Sequence, residues 1–267
     1  MLRTWSKFER IWLIVFLVLI LATTIIFSID GTDYSSAHSI LLNWVITPLS
    51  SITGIICVVL VARGSIWNYP WGIVNCVAYG YLAYKSGYYG DMILNVFYFL
   101  PFQFVGYIWW KKHLRNNSQD IVAMRKLSLK QAILITIGGI VATILFGISL
   151  FKLDNWFVTA MKRNISIYTY LDNTFNLPYL GAIFDASTEV LQISAQILMI
   201  LAFAEQWLLW ILTNIITIIM WGTVIAADKT SIPWALPTLI MWVGYLINST
   251  YGYINWLRGA KENVQNA

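Results

Sequence analysis

Two carboxylates and two amides, Asp185, Glu189, Gln192 and Gln196, lie inside an apolar stretch that runs on as Ile197-Leu-Met-Ile-Leu-Ala-Phe-Ala204. Spacings of four, three and four place all four side chains within about 60° of one helix face. The segment around them is about 20 residues long, the length that crosses a bilayer. Polar groups at that depth cost roughly several kcal/mol each unless they are paired or face water, so such a face marks a pathway. The plainer alternative is interhelical hydrogen bonding, which accounts for a single amide but does not call for two acids in succession.

Other stripes repeat the pattern. Trp207, Trp210, Asn214, Thr217 and Trp221 share one helical face, as do Asp91, Asn95, Tyr98 and Phe102, and as do Tyr245, Asn248 and Asn255. Trp71 and Asn75 form a further W-x-x-x-N pair. An aromatic stripe at helical spacing is most often packing, but here the aromatics alternate with amides, which favours a binding surface. Amides both donate and accept and suit hydroxyls and carboxamides. Trp offers a flat face for an aromatic ring or a cation. Asp185 and Glu189 would draw a cation towards the pathway. No Arg or Lys falls within the helix centres, so a phosphorylated solute finds no partner. The expected cargo is a small, uncharged or singly positive molecule with hydroxyls and an aromatic ring.

Enzyme chemistry has little support. There is no H-E-x-x-H or G-x-S-x-G motif and no Cys/His cluster at metal-ligand spacing. His38 and His113 read as solvated loop residues. Asp185 and Glu189 stand one turn apart and would share a proton if buried. That leaves open a proton-coupled symporter or a membrane hydrolase with paired acids. Cys57 and Cys76 both sit in apolar segments, so no disulfide framework is expected. Neither a cofactor nor a metal is expected.

The elements that must position these residues are membrane helices. The chain is 59% hydrophobic and 11% charged, with 14 Trp and 15 Tyr. This places it in the membrane class as an all-α protein. Eight spans are expected, at about 10–29, 41–62, 67–85, 91–110, 131–151, 181–203, 206–226 and 233–256, in one membrane domain. The first is read as a retained helix and not a signal peptide. With the N-terminus inside, the 17 basic residues divide 12 to 5 in favour of the inside, so both termini are expected to be cytoplasmic. The net charge of +5 then belongs to topology and not to nucleic acid. The 111–130 loop reads as a solvated cytoplasmic loop, with anionic lipid or a partner as the alternative. The 152–180 segment reads as an outside stretch resting at the interface, or as a lid.

Two triplets echo each other. Residues 41–110 end in Gly106-Tyr-Ile-Trp-Trp110 and residues 181–256 in Gly252-Tyr-Ile-Asn-Trp256. Trp71-x-x-x-Asn75 is matched by Trp210-x-x-x-Asn214. One intervening helix at 131–151 gives both triplets the same orientation, so the repeat is parallel, with 10–29 as an added N-terminal helix. Transporters of this kind hold substrate between the bundles near the midplane. Gly54, Gly72, Gly106, Gly222 and Gly252 would let helices slide, or serve as static contacts.

Taken together, Trp71-x-x-x-Asn75, Tyr88-Tyr-Gly-Asp91-Met-Ile-Leu-Asn95-Val-Phe-Tyr98 and Gly106-Tyr-Ile-Trp109-Trp110 resemble the vitamin transporters of the Pnu type, in particular their nicotinamide riboside branch. Asp185, Gln192, Gln196, Trp210 and Asn214 fit the same family. The resemblance covers about residues 40–257. It implies a SWEET-like fold of three, one and three helices, a homotrimer, and a multi-pass place in a bacterial inner membrane. It also implies uptake of nicotinamide riboside for NAD synthesis by facilitated diffusion, with a cytoplasmic kinase trapping the product. Relatives carrying thiamine or riboflavin are the alternative, as is a receptor that binds the same ligand without moving it. Gln192, Gln196, Asn75 and Asn214 are assigned to ribose hydroxyls and the carboxamide, and Trp71 and Trp210 to stacking, with Trp207 and Trp221 behind them. Asp185 and Glu189 would balance the pyridinium charge, and Asn95, Tyr98 and Asn248 complete the expected site.

Overall fold

Ser6 opens the first helix, α1 (Lys7–Gly31), with a capping box. Its hydroxyl accepts from Glu9 N at 3.1 Å, and Glu9 Oε2 accepts from Ser6 N at 2.7 Å, satisfying two of the donors a helix start leaves open. The computed structural model describes residues 5–86, 89–115, 118–160, 167–178, 180–227 and 229–265. After α1 come α2 (Ala37–Arg63) and α4 (Asp91–Lys112), with α3 (Asn68–Ser86) between them. Next follow α5 (Leu129–Ala160), the short α6 (Ile167–Phe175), α7 (Leu180–Ile200), α8 (Gln206–Ala227) and α9 (Ile232–Gln265). Isolated backbone bridges occur, but no strand forms among the described residues.

Helices stand at all eight expected places, and among the described residues six of them are long and apolar enough to cross a membrane on that ground alone. The sequence reading expected eight such spans. α3 falls short because tyrosines and amides interrupt it, and within α7 (Leu180–Ile200) the stretch Ala186–Ile200 is apolar. α5 continues to Ala160, so the start of the expected outside stretch is helix, and α6 follows it. Residues 161–166 of that stretch lie outside the described residues.

Two helices carry a wide turn before a proline. Pro48 follows the π-turn at Leu42–Ile46, and Pro101 follows the one at Leu94–Phe99. Proline has no N–H for the carbonyl one turn back, so the bonding shifts by one residue. Thr47 N and Leu100 N accordingly donate to Leu42 O and Asn95 O.

α2 packs on α3 and α9, α8 on α7 and α9, and α4 on α3 and α7, while α1 lies along α9 and α2. α5 packs on α7, and its Leu129–Phe146 stretch buries none of its residues in the protein. Such a face suits hydrocarbon.

Two buried tryptophans bind these helices across the middle of the chain. Trp110 Nε1 in α4 donates to the carbonyls of Met199 and Ile200 at 3.1 Å each. Trp256 Nε1 in α9 donates to those of Val61 and Ala62 at 3.0 and 3.1 Å. The last carbonyls of a helix lack intrahelical donors, so each indole satisfies the end of α7 or α2 while finding its own partner. Both helix ends then turn through left-handed residues, Gly64 at φ 71° and Ala202 at φ 59°. The loop between α4 and α5 ties these turns together. Val122 N donates to Gly64 O at 2.9 Å and Arg125 N to Ala202 O at 2.7 Å. The expectation of a solvated loop is therefore corrected, since Val122 and Met124 are buried in it.

Candidate substrate-binding cavity

A cavity of about 110 Å³ lies among α2, α3, α4, α7, α8 and α9. At roughly 10–15 Å³ per water centre, it holds a small organic molecule's worth of space and far more than one ion needs. Its described lining contains amides, thiols and aromatic rings, and no Arg, Lys, Asp or Glu.

The residues enter it in matched positions. Gly106 packs against the ring of Tyr69 and Gly252 against that of Trp207, each so closely that a Cβ would fall under 3.0 Å from the ring. With the two indole caps, these contacts make Tyr69 the counterpart of Trp207 and Val61 that of Met199. In that register Gly54 corresponds to Gln192, Val58 to Gln196, Gly72 to Trp210 and Cys76 to Asn214, and all eight line the cavity. Asn95, Phe99 and Gln103 from α4 likewise match Met241, Tyr245 and Ser249 from α9. The W-x-x-x-N alignment of Trp71 with Trp210 is therefore off by one residue, which on a helix is about 100°. This is why Trp71 does not line the cavity but stands 39% exposed on the outer side of α3.

The polar atoms divide into those used by the fold and those left open. Asn75 Nδ2 donates to Ser50 O at 2.8 Å, and Asn95 Nδ2 to Asp91 O at 2.8 Å. Asn214 Nδ2 donates to Ser249 Oγ at 3.0 Å. Ser249 gives its own proton to Tyr245 O at 2.7 Å, so it can only accept from Asn214. The amide is thereby oriented, and its Oδ1 remains a buried acceptor with no partner among the described residues. Gln103 Oε1 and Asn68 Oδ1 are open acceptors too, and Gln196 Nε2 and Trp207 Nε1 open donors. Each such buried group costs about 1–3 kcal/mol until something bonds to it. Three acceptors and two donors, all neutral, match hydroxyls and a carboxamide.

Aromatic rings frame these atoms. Phe99 and Trp210 stand 6.3 Å apart between centroids, Trp242 and Tyr245 5.1 Å, and Tyr79 and Trp242 6.0 Å. Tyr79 reaches beyond the cavity to Asp91, its hydroxyl donating to Oδ2 at 3.1 Å. That places a carboxylate one hydrogen bond behind the aromatic wall.

Of the residues expected from sequence, Gln192, Gln196, Asn75, Asn214, Trp207, Trp210 and Asn95 line the cavity. Trp221, Tyr98, Asn248 and Glu189 stand outside the lining. Trp221 is buried edge-on to Trp234 at 5.8 Å in the apolar core. Tyr98 donates to Ile193 O at 3.0 Å, joining α4 to α7, and Asn248 donates to Val58 O at 2.8 Å, joining α9 to α2. Glu189 is buried in α7, and the side chain of Asp185 lies outside the described residues. Sequence reasoning missed Asn68 and Gln103. The available signal for Gln103 was a glycine facing it, since a Cβ on Gly72 would come within 3.0 Å of the Gln103 amide.

Residues 44–258 match the family model described as nicotinamide mononucleotide transporter. The nicotinamide riboside transporter PnuC of Neisseria mucosa is 34% identical over 262 residues, covering 97% of this chain and 84% of that protein. Its namesake in Haemophilus influenzae is 32% identical over 259 residues, covering 97% and 93%. A crystal structure of the vitamin B3 transporter PnuC superposes with a TM-score of 0.71 at 32% identity, covering 97% of this chain and 94% of that one.

Proposed function

The chain belongs to the nicotinamide mononucleotide transporter family, and we propose that it takes up nicotinamide riboside across the membrane by facilitated diffusion. It is a transporter and not an enzyme, as its family and relatives are. The observation that carries the substrate is the cavity's neutral set of open donors and acceptors inside an aromatic frame. The family description names the mononucleotide, whereas the relatives are named for the riboside. Chemistry decides between them, because the described lining offers no Arg or Lys to a phosphate.

In this reading Asn214 and Gln103 accept from ribose hydroxyls or the carboxamide N–H, and Gln196 donates to the carboxamide oxygen. Gln192, Asn75 and Asn95 complete the polar wall. Trp210, with Trp207 beside it, faces the pyridinium, and Asp91 balances its charge through Tyr79. Asp185 and Glu189 draw the cation towards the pathway. The architecture is two parallel three-helix repeats, 41–110 and 181–256, joined by the helix at 131–151 and preceded by the one at 10–29. The reciprocal indole caps and the matched lining positions support it. The two bundles rock about the cavity. The protein is a homotrimer of a bacterial inner membrane with both termini cytoplasmic, and a cytoplasmic riboside kinase makes uptake irreversible.

Proteoliposomes test the mechanism. Labelled riboside should equilibrate without accumulating, whether or not a pH gradient is imposed, while the mononucleotide and thiamine stay outside. Accumulation driven by the gradient would replace the uniporter with a proton-coupled symporter, and entry of the mononucleotide would overturn the substrate.

A further inference from the structure

The positive charge missing from the central cavity is gathered in a second pocket of about 340 Å³ at the basic end of the molecule. Three guanidinium groups from separate segments line it: Arg63 at the end of α2, Arg115 after α4, and Arg258 in α9. Two carboxylates face them. Arg63 pairs with Glu9 at 3.1 Å, and Arg115 with Glu262 at 3.0 Å. Arg258 forms no ion pair among the described residues and is exposed. The Arg115–Glu262 pair is also open to solvent, at 39% and 54% side-chain exposure, so it opens at little cost. The floor of the pocket is apolar, made by Ile121, Val122 and Met124.

We propose that this pocket binds a phosphate-bearing anion. A planar guanidinium matches a phosphate edge with two N–H donors. Arg258 supplies a free one, Arg115 a second once Glu262 swings away, and Arg63 is held in place by Glu9 and by the Trp5 ring 5.0 Å from its guanidinium. The apolar floor takes the organic part of a monoester or diester. A bound phosphate would join the end of α2, the α4–α5 loop and α9, which are the segments that meet where Trp256 caps α2. On the cytoplasmic orientation proposed above, the pocket faces the compartment where the cargo acquires its phosphate. Its place in the membrane rests on that orientation, but the binding does not. Two sources present this chemistry, a soluble nucleoside monophosphate and an anionic lipid headgroup.

The test uses the full chain in phosphatidylcholine nanodiscs, titrated calorimetrically with nicotinamide mononucleotide, and in parallel discs of rising phosphatidylglycerol content followed by thermal unfolding. A soluble ligand predicts that the mononucleotide binds wild type, that Arg258→Gln weakens it about tenfold and that Arg258→Lys recovers part of the loss. Glu262→Gln should tighten it. The central-cavity variant Asn214→Leu should leave it unchanged, which separates this site from the transport site. If the mononucleotide does not bind but phosphatidylglycerol stabilises wild type more than Arg258→Gln, the phosphate is a lipid's and the proposal stands. It falls if neither response depends on Arg258 and Glu262. Riboside uptake by Arg258→Gln would report separately on the transport reading.

Discussion

Gly54, Val58, Gly72 and Cys76 line the cavity from α2 and α3, and Gln192, Gln196, Trp210 and Asn214 line it at the matching positions from α7 and α8. The frames that hold these two walls repeat each other's contacts. Each has a glycine pressed on an aromatic ring, an indole capping the opposite helix end, and a left-handed turn bound by the same loop. The chemistry does not repeat. At these four matched positions one side is small and only weakly polar, whereas the other carries two glutamines, an asparagine and an indole; Asn68, Asn75, Asn95 and Gln103 add amides from α3 and α4. A shared frame with unlike residues at its matched positions makes the cavity asymmetric about the repeat.

Breaking the polar wall should have the largest effect. Asn214→Leu removes the oriented acceptor and adds apolar bulk, and it should lower riboside affinity about a hundredfold or more while leaving the fold intact. Size-exclusion chromatography and a binding isotherm together check this. The frame comes next. Trp110→Phe and Trp256→Phe each remove an indole donor from a pair of helix-end carbonyls, so each should cost about 1 kcal/mol of stability. A thermal-unfolding comparison should show losses of similar size in the two variants, and a loss confined to one would break the equivalence of the frames.

Smaller effects sharpen the contrast. Gly72→Ala forces the Gln103 amide to move and should weaken binding about tenfold by overpacking. Cys76→Ser, on the weakly polar wall, should change affinity less than about threefold, because its Sγ accepts only a long bond of 3.9 Å from Gln103 Nε2. Trp71→Ala should have the least effect on affinity, since its side chain lies outside the cavity.

Much of the frame was legible in the sequence because apolar length fixes spans and helical period fixes faces. Gln192 and Gln196, which spacing alone sets on one face of α7, line one cavity with Trp210 and Asn214, while Glu189 of that face does not. What failed was phase between helices. Matching Trp71 to Trp210 by motif ignored the turn before each helix, and a single residue rotated Trp71 out of the cavity. Amides look alike in sequence whether they tie helices or face a ligand. Asn248 and Asn214 differ only in that one finds a backbone carbonyl while the other keeps an open oxygen. The 111–130 loop looked solvated because basic residues stand out in it, yet its backbone serves two helix ends far apart in the chain. No local pattern announces such a role.

The most direct test is calorimetric titration of the purified protein with nicotinamide riboside, in wild type and in Asn214→Leu. One riboside per chain bound by wild type and none by the variant is the expected result. Equal affinity in both would remove the substrate from this cavity and return its open amides to the packing of helices.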